Sequence, residues 1–268
     1  MINEESDDKN LENIMKITFE EIILFSKKLD NSKKSVELLY EYTLEKLKLD
    51  KPEEKEFTKK GKLITFDGHS GAGKDTQITL LEKYLKENYL YRDKNIITLV
   101  QKQNPFKQVS KYLWQHNDIN EDNNCSLLLL TAGRKYFTYN ALSPSLEEEN
   151  SIIISNRSYL SNLAYQAPNS KNIVTLLPLA YFDIEADLKF VLECNTNIAY
   201  SRIMKRSPEK SGIIYSNERP EYINRVKKNY KQLSKFIDKI IFIDTSSDAQ
   251  NINNTICSYV DNYFHNKK

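Results

Sequence analysis

The chain has 268 residues, 40% hydrophobic and 28% charged, which is enough apolar content for a packed core and excludes global disorder. Its net charge of +2 excludes a strong electrostatic pull toward nucleic acid or membrane, and three widely spaced cysteines (Cys125, Cys194, Cys257) exclude a disulfide framework or a cysteine-rich zinc site. No apolar run reaches the length of a membrane span and residues 1–10 are too acidic for a signal peptide, so a soluble cytoplasmic chain is expected.

Residues 1–60 stand apart in charge. They hold 12 lysines, no arginine and 15 acids, net −3, whereas 61–268 is net +5. Apolar residues recur at helical spacing over 10–28 (Leu11, Ile14, Met15, Ile22, Phe25) and 33–49 (Val36, Leu39, Tyr40, Leu44, Leu47), with a turn or cap at Asp30-Asn31-Ser32. This predicts an N-terminal helical hairpin and a charged linker over 50–60, an extension to a separate domain at 61–268.

From Gly61 onward strands alternate with helices. Strands are expected at 62–66, 95–100, 151–155, 188–193 and 240–244, and helices at 76–87, 127–142, 197–206, 221–236 and 251–264. That alternation predicts an α/β fold, a parallel sheet of about five strands with helices on both faces. Ligands of such sheets bind at the carboxyl ends of the strands.

Glycine is scarce and concentrated. Of six glycines, Gly68, Gly71 and Gly73 lie within six positions, in Phe66-Asp67-Gly68-His69-Ser70-Gly71-Ala72-Gly73-Lys74-Asp75-Thr76-Gln77. Gly-x4-Gly-Lys between a strand and a helix is the core of the Walker A loop and predicts a P-loop NTPase fold. Small residues let successive backbone N–H groups face phosphate oxygens, the helix N-terminus adds its positive end, and Lys74 supplies a point charge. Gly68, Ser70, Gly71, Ala72, Gly73, Lys74, Asp75 and Thr76 are thus the expected ATP phosphate site. The usual hydroxyl residue after the lysine is replaced by Asp75, a candidate Mg²⁺ ligand.

At this point the sequence resembles the thymidylate kinases, within the P-loop nucleoside monophosphate kinases. The loop is similar to that family's opening motif. Asn156-Arg157-Ser158-Tyr159-Leu160-Ser161-Asn162-Leu163-Ala164-Tyr165-Gln166 resembles its Asp-Arg-aromatic run ending in Ala-Tyr-Gln, and Leu127 to Arg134 followed by Pro144-Ser145-Leu146 resembles the preceding helix. The resemblance covers about 61–264. It implies ATP with Mg²⁺ as donor, a nucleoside monophosphate as acceptor, dTMP or a related pyrimidine nucleotide, and a homodimer of the kind the family often forms.

The resemblance also implies roles. Lys74, Arg157 and Arg206 would act on the transferring and acceptor phosphates, Arg206 from a lid with Lys205 and Lys210 nearby. Phe106, Leu130, Arg134, Arg157, Ser161, Tyr165 and Gln166 would form the acceptor pocket. Arg202, Asp244 and Thr245 would lie on the adenine side. Against the family pattern, Asn156 replaces an aspartate, Ser70 an acid, Leu130 an aromatic residue and Gly133 a polar residue, and Lys102 stands where an arginine is usual. Two alternatives stay open: a deoxynucleoside kinase, although no acid between Lys94 and Lys111 offers the general base a hydroxyl acceptor needs, and a nucleotide-binding regulatory protein with decayed kinase chemistry.

Overall fold

The structure, a computed structural model, describes residues 4–100, 104–116, 123–206 and 218–265, with side chains from residue 14 onward and excepting Asn123. Five strands, β1 (Lys62–Gly68), β2 (Asn95–Val100), β3 (Ser151–Asn156), β4 (Leu188–Glu193) and β5 (Ile240–Asp244), form one sheet in the order β2-β3-β1-β4-β5. Every pairing is parallel. This is the expected α/β architecture. The central strand, β1, reads as a near-continuous apolar run because both its faces are covered.

The two faces follow the period-2 alternation of a strand. Ile64 and Phe66 of β1, with Ile152, Ile154, Phe190 and Leu192, pack against Leu81 and Leu85 of α3 (Lys74–Glu87) and Ile256 and Val260 of α11 (Ala249–His265). Leu63 and Ile153 face the other way, toward Phe137, Leu142 and Leu146. On that side lie α4 (Pro105–His116), α5 (Asn123–Phe137), α6 (Ser143–Glu147), α7 (Tyr159–Gln166), α8 (Ile173–Leu176) and, after α9 (Thr196–Arg206), α10 (Pro220–Leu233). The helix expected over 127–142 starts earlier, at Asn123, and ends at Phe137 in a π turn, Thr138–Leu142. α4 and α7 are not among the helices expected from the sequence: α7 has only eight residues, whereas α4 carries an apolar stripe at helical spacing, Phe106, Val109 and Leu113, that the sequence reading passed over.

The N-terminal hairpin consists of α1 (Glu4–Ser26) and α2 (Lys33–Lys46), and Ser32 caps α2 by accepting from the Ser35 amide at 3.1 Å. Val36, Leu39, Tyr40 and Leu44 are buried as their spacing implied, but on α1 the buried side is Phe19, Ile22 and Ile23, and Ile14 and Met15 are exposed. These residues share one apolar cluster with Phe106, Val109 and Leu113 of α4 and Leu128, Leu129 and Ala132 of α5. No helix among the described residues is long and apolar enough to cross a membrane.

Candidate active site

The loop between β1 and α3 curls under the carboxyl edge of the sheet. Gly68 (φ +133°) and Gly71 (φ +75°) hold conformations that L side chains rarely adopt. A Cβ at Gly68 would stand 2.2 Å from the Leu192 carbonyl oxygen, and one at Gly71 2.5 Å from that of Ala199. The sequence therefore needs glycine at both turns for the loop to sit against β4 and α9.

His69 fastens the loop. Its buried ring lies 2.8 Å through Nδ1 from the Ser70 carbonyl, and Nε2 accepts from the Cys194 amide at 3.1 Å. Burial first, with the nearby cations Lys74, Lys227 and Arg202 behind it, pulls its pKa down to about 4, so the ring is neutral at pH 7. Lys74 Nζ donates to the carbonyls of Gly68 (2.9 Å) and His69 (2.8 Å). Burial, then the charge of Arg157, lowers the Lys74 pKa to about 7, so its charge is completed only by an anionic partner.

Next to the lysine, the exposed carboxylate of Asp75 accepts from Asn156 Nδ2 at 2.7 Å, and Asn156 Oδ1 is buried with no hydrogen-bond partner among the described residues. Those two oxygens, one anionic and one amide, suit a hard divalent cation that takes its remaining ligands from phosphate and water. Among the described residues no three His, Cys, Asp or Glu side chains gather to enclose a metal alone.

Arg157 follows β3 with φ +79°, a strained position for a non-glycine residue, held by its amide donating to the Phe66 carbonyl at 2.9 Å. Its guanidinium lies 4.9 Å from the Tyr165 ring centre and donates to Ser161 Oγ at 3.2 Å. Tyr165 is buried, its hydroxyl near Gly68 O (3.3 Å) and Ser70 Oγ (3.4 Å). Lys74, Asp75, Asn156, Arg157, Ser161 and Tyr165 are thus brought together at the ends of β1 and β3.

Other expected residues sit differently. Arg134 is buried on α5, donating through Nε and Nη2 to Asp183 (2.7 and 2.8 Å) and through Nη1 to the Arg157 carbonyl (3.1 Å). Phe106 is fully buried, stacked on Tyr40 of α2 at 5.7 Å and 10°. Leu130 is half-buried and Gln166 buried. Arg206 pairs with Glu218 at 2.5 Å. The expected lid falls largely on 207–217, which with Lys210 and Lys102 lies outside the described residues.

A cavity of about 180 Å³ opens beside the loop, lined by Ala72, Gly73, Thr76, Gln77, Arg202, Thr245, Ser247, Ala249 and Ile252. Arg202 Nη2 donates to the Thr245 carbonyl at 2.8 Å. Thr245 lines this cavity, whereas Asp244 turns its carboxylate back to the Ser246 amide and hydroxyl.

Three residues important to this geometry escaped the sequence reading. Asp67, fully buried, accepts from the amides of Ser158 (3.0 Å) and Ser161 (3.1 Å) and from their hydroxyls (2.7 and 2.5 Å), tying β1 to α7. Tyr230 of α10 accepts from the Gly68 amide at 3.1 Å. Asp183 holds Arg134 and accepts from the Tyr159 amide at 2.8 Å. Only Asp67 carried a signal, its position inside the glycine motif.

A parallel sheet in this order, with a glycine-turned loop, its lysine and an arginine at the end of the neighbouring strand, defines a P-loop kinase. A family model described as thymidylate kinase matches residues 66–256. The thymidylate kinase of Francisella tularensis subsp. holarctica is 30% identical over 213 residues, covering 76% of this chain and 97% of its own length. That of Caldicellulosiruptor saccharolyticus is 26% identical over 209 residues, 75% and 97%. The crystal structure of thymidylate kinase from Ehrlichia chaffeensis shares the fold, with a TM-score of 0.54 at 20% identity over 75% of this chain and 98% of that one. The chain belongs to the thymidylate kinase family.

Proposed function

We propose that this protein transfers the γ-phosphoryl group of ATP to dTMP with Mg²⁺. The observation that carries the reading is the convergence of Lys74, the Asp75–Asn156 pair and Arg157 on the ends of two adjacent strands. A phosphate acceptor is already anionic, so the site's task is to gather positive charge and align oxygens, not to remove a proton. Arg157, held by Ser161 and the Tyr165 ring, clamps the acceptor phosphate. Lys74 leaves its carbonyl partners for the donor phosphates. The cavity beside Arg202 and Gln77 takes the adenine. Asp75 and Asn156 Oδ1 would hold the magnesium ion, which when bound neutralises phosphate charge.

The same geometry disfavours a neutral hydroxyl acceptor. Asp67, the buried carboxylate bonded to Ser161, accepts four hydrogen bonds, three at Oδ1 and one at Oδ2, which commit it to holding α7 and make it a poor base. The test is ATP turnover by the full chain against a panel of nucleoside monophosphates and nucleosides. ADP release dependent on dTMP, and absent in Lys74→Ala, supports the reading. Release with thymidine and not dTMP would overturn it.

A further inference from the structure

We infer that Lys135 is a positioning residue that fastens α5 to the N-terminal hairpin and thereby holds the backbone of Arg157 at the acceptor side of the site. The inference rests on the reading of Arg157 as the acceptor clamp. The hairpin lies outside the span that the family model matches, 66–256.

Lys135 is a buried cation, its side chain 3% exposed. It is paired with Glu37 of α2 and, at 2.9 Å, with Glu54 of the linker. Three rings surround its ammonium: Tyr40 at 4.6 Å, Phe182 at 5.8 Å and Tyr139 at 6.0 Å. A buried ammonium is tolerated only with such partners, and here both carboxylates and one ring come from residues 1–60. The hairpin therefore does more than cover apolar surface; it compensates a charge on α5.

From Lys135 two short routes lead to the site. The preceding residue, Arg134, donates to the Arg157 carbonyl. Phe182, one wall of the lysine cage, precedes Asp183, which grips Arg134 through both oxygens. There is little slack at this junction. A Cβ at Gly133 would lie 2.8 Å from Phe106 Cβ, Asn104 Nδ2 donates to the Gly133 carbonyl at 2.6 Å, and Phe106 stacks on Tyr40. A shift of α2 therefore reaches residues 133–135 as a rigid displacement. Among the described residues, the carbonyl of Arg157, whose backbone is strained, accepts from the Arg134 guanidinium and Ser155 Oγ (3.0 Å) alone.

The test uses the full chain carrying Glu37→Gln and Glu54→Gln. Amide hydrogen exchange is followed over 157–161 and over the loop 68–74, together with KM for dTMP and for ATP. We expect faster exchange over 157–161, an unchanged loop, a dTMP KM raised roughly 3- to 30-fold and an ATP KM within about twofold. Tyr40→Phe, which keeps the ring and removes a hydroxyl that has no hydrogen-bond partner among the described residues, should change none of these. If the double variant fails to fold, Glu37→Gln alone, at a side chain 43% exposed, reads the same quantities. Exchange over 157–161 as slow as in the parent, with loosening confined to α1 and α2, would overturn the inference. The exchange result stands whether or not dTMP is turned over, so a failure of the substrate reading is seen separately.

Discussion

Asn156 Nδ2 donates to Asp75 Oδ1 across 2.7 Å, joining the end of β3 to the first turn of α3. The carboxylate thus sits on the loop side of the pocket and the amide on the strand side. Asp75→Asn should raise the Mg²⁺ concentration for half-maximal rate by about tenfold or more. It should also tighten metal-free ATP, because an anion beside the polyphosphate is gone. A Mg²⁺ titration and metal-free calorimetry check both signs. An unchanged Mg²⁺ dependence would leave Asp75 as a helix-start acid.

Lys74 ties nucleotide binding to proton uptake. Its pKa in the free protein lies near 7, and a bound polyphosphate keeps it charged. At pH 8, where the nucleotide phosphates are already ionised, binding should take up close to one proton, and affinity should decline as pH rises above 7. Calorimetry in buffers of different ionisation enthalpy measures this uptake. Lys74→Ala should abolish it and lower kcat by about 10²-fold or more.

How far the site could be read in advance depended on how local its determinants are. The Gly68–Lys74 loop is a contiguous motif whose turns demand glycine, and all five strands are apolar runs between helical patterns. The roles that needed three-dimensional information belong to residues whose partners are distant. Arg134 lies 49 positions from Asp183, and Tyr230 162 positions from Gly68. Ile14 and Met15 share helical spacing with Ile22 yet stand exposed, because the apolar face of α1 that packs on α4 and α5 is set by Phe19, Ile22 and Ile23.

His69 makes stability depend on acid. Its folded pKa of about 4 lies below the ordinary 6.5, so between those values the unfolded chain binds a proton that the folded one refuses. Stability should fall as pH drops from 6.5 to 4, with at most roughly 3 kcal/mol from this residue. Urea unfolding of the parent and of His69→Gln at pH 7 and pH 4.5 isolates it. The variant should show the smaller loss.

The Arg134–Asp183 pair is buried on both sides, with side chains 2% and 0% exposed. Arg134→Met alone should cost about 3–5 kcal/mol, because it strands a buried carboxylate. Combining it with Asp183→Asn should cost less than the sum of the single changes. Denaturant midpoints of the four proteins give the coupling. Strict additivity would mean that the pair does not act as a unit.

The most direct measurement is the fate of the transferred phosphorus. The full chain is incubated with Mg²⁺, dTMP and ATP labelled in its γ-phosphoryl group, and the products are resolved by ³¹P NMR and mass. The account predicts label in the β-phosphate of dTDP, formed in step with ADP and lost in Lys74→Ala. Label in dTMP made from added thymidine, or ADP formed with no labelled dTDP, would contradict it.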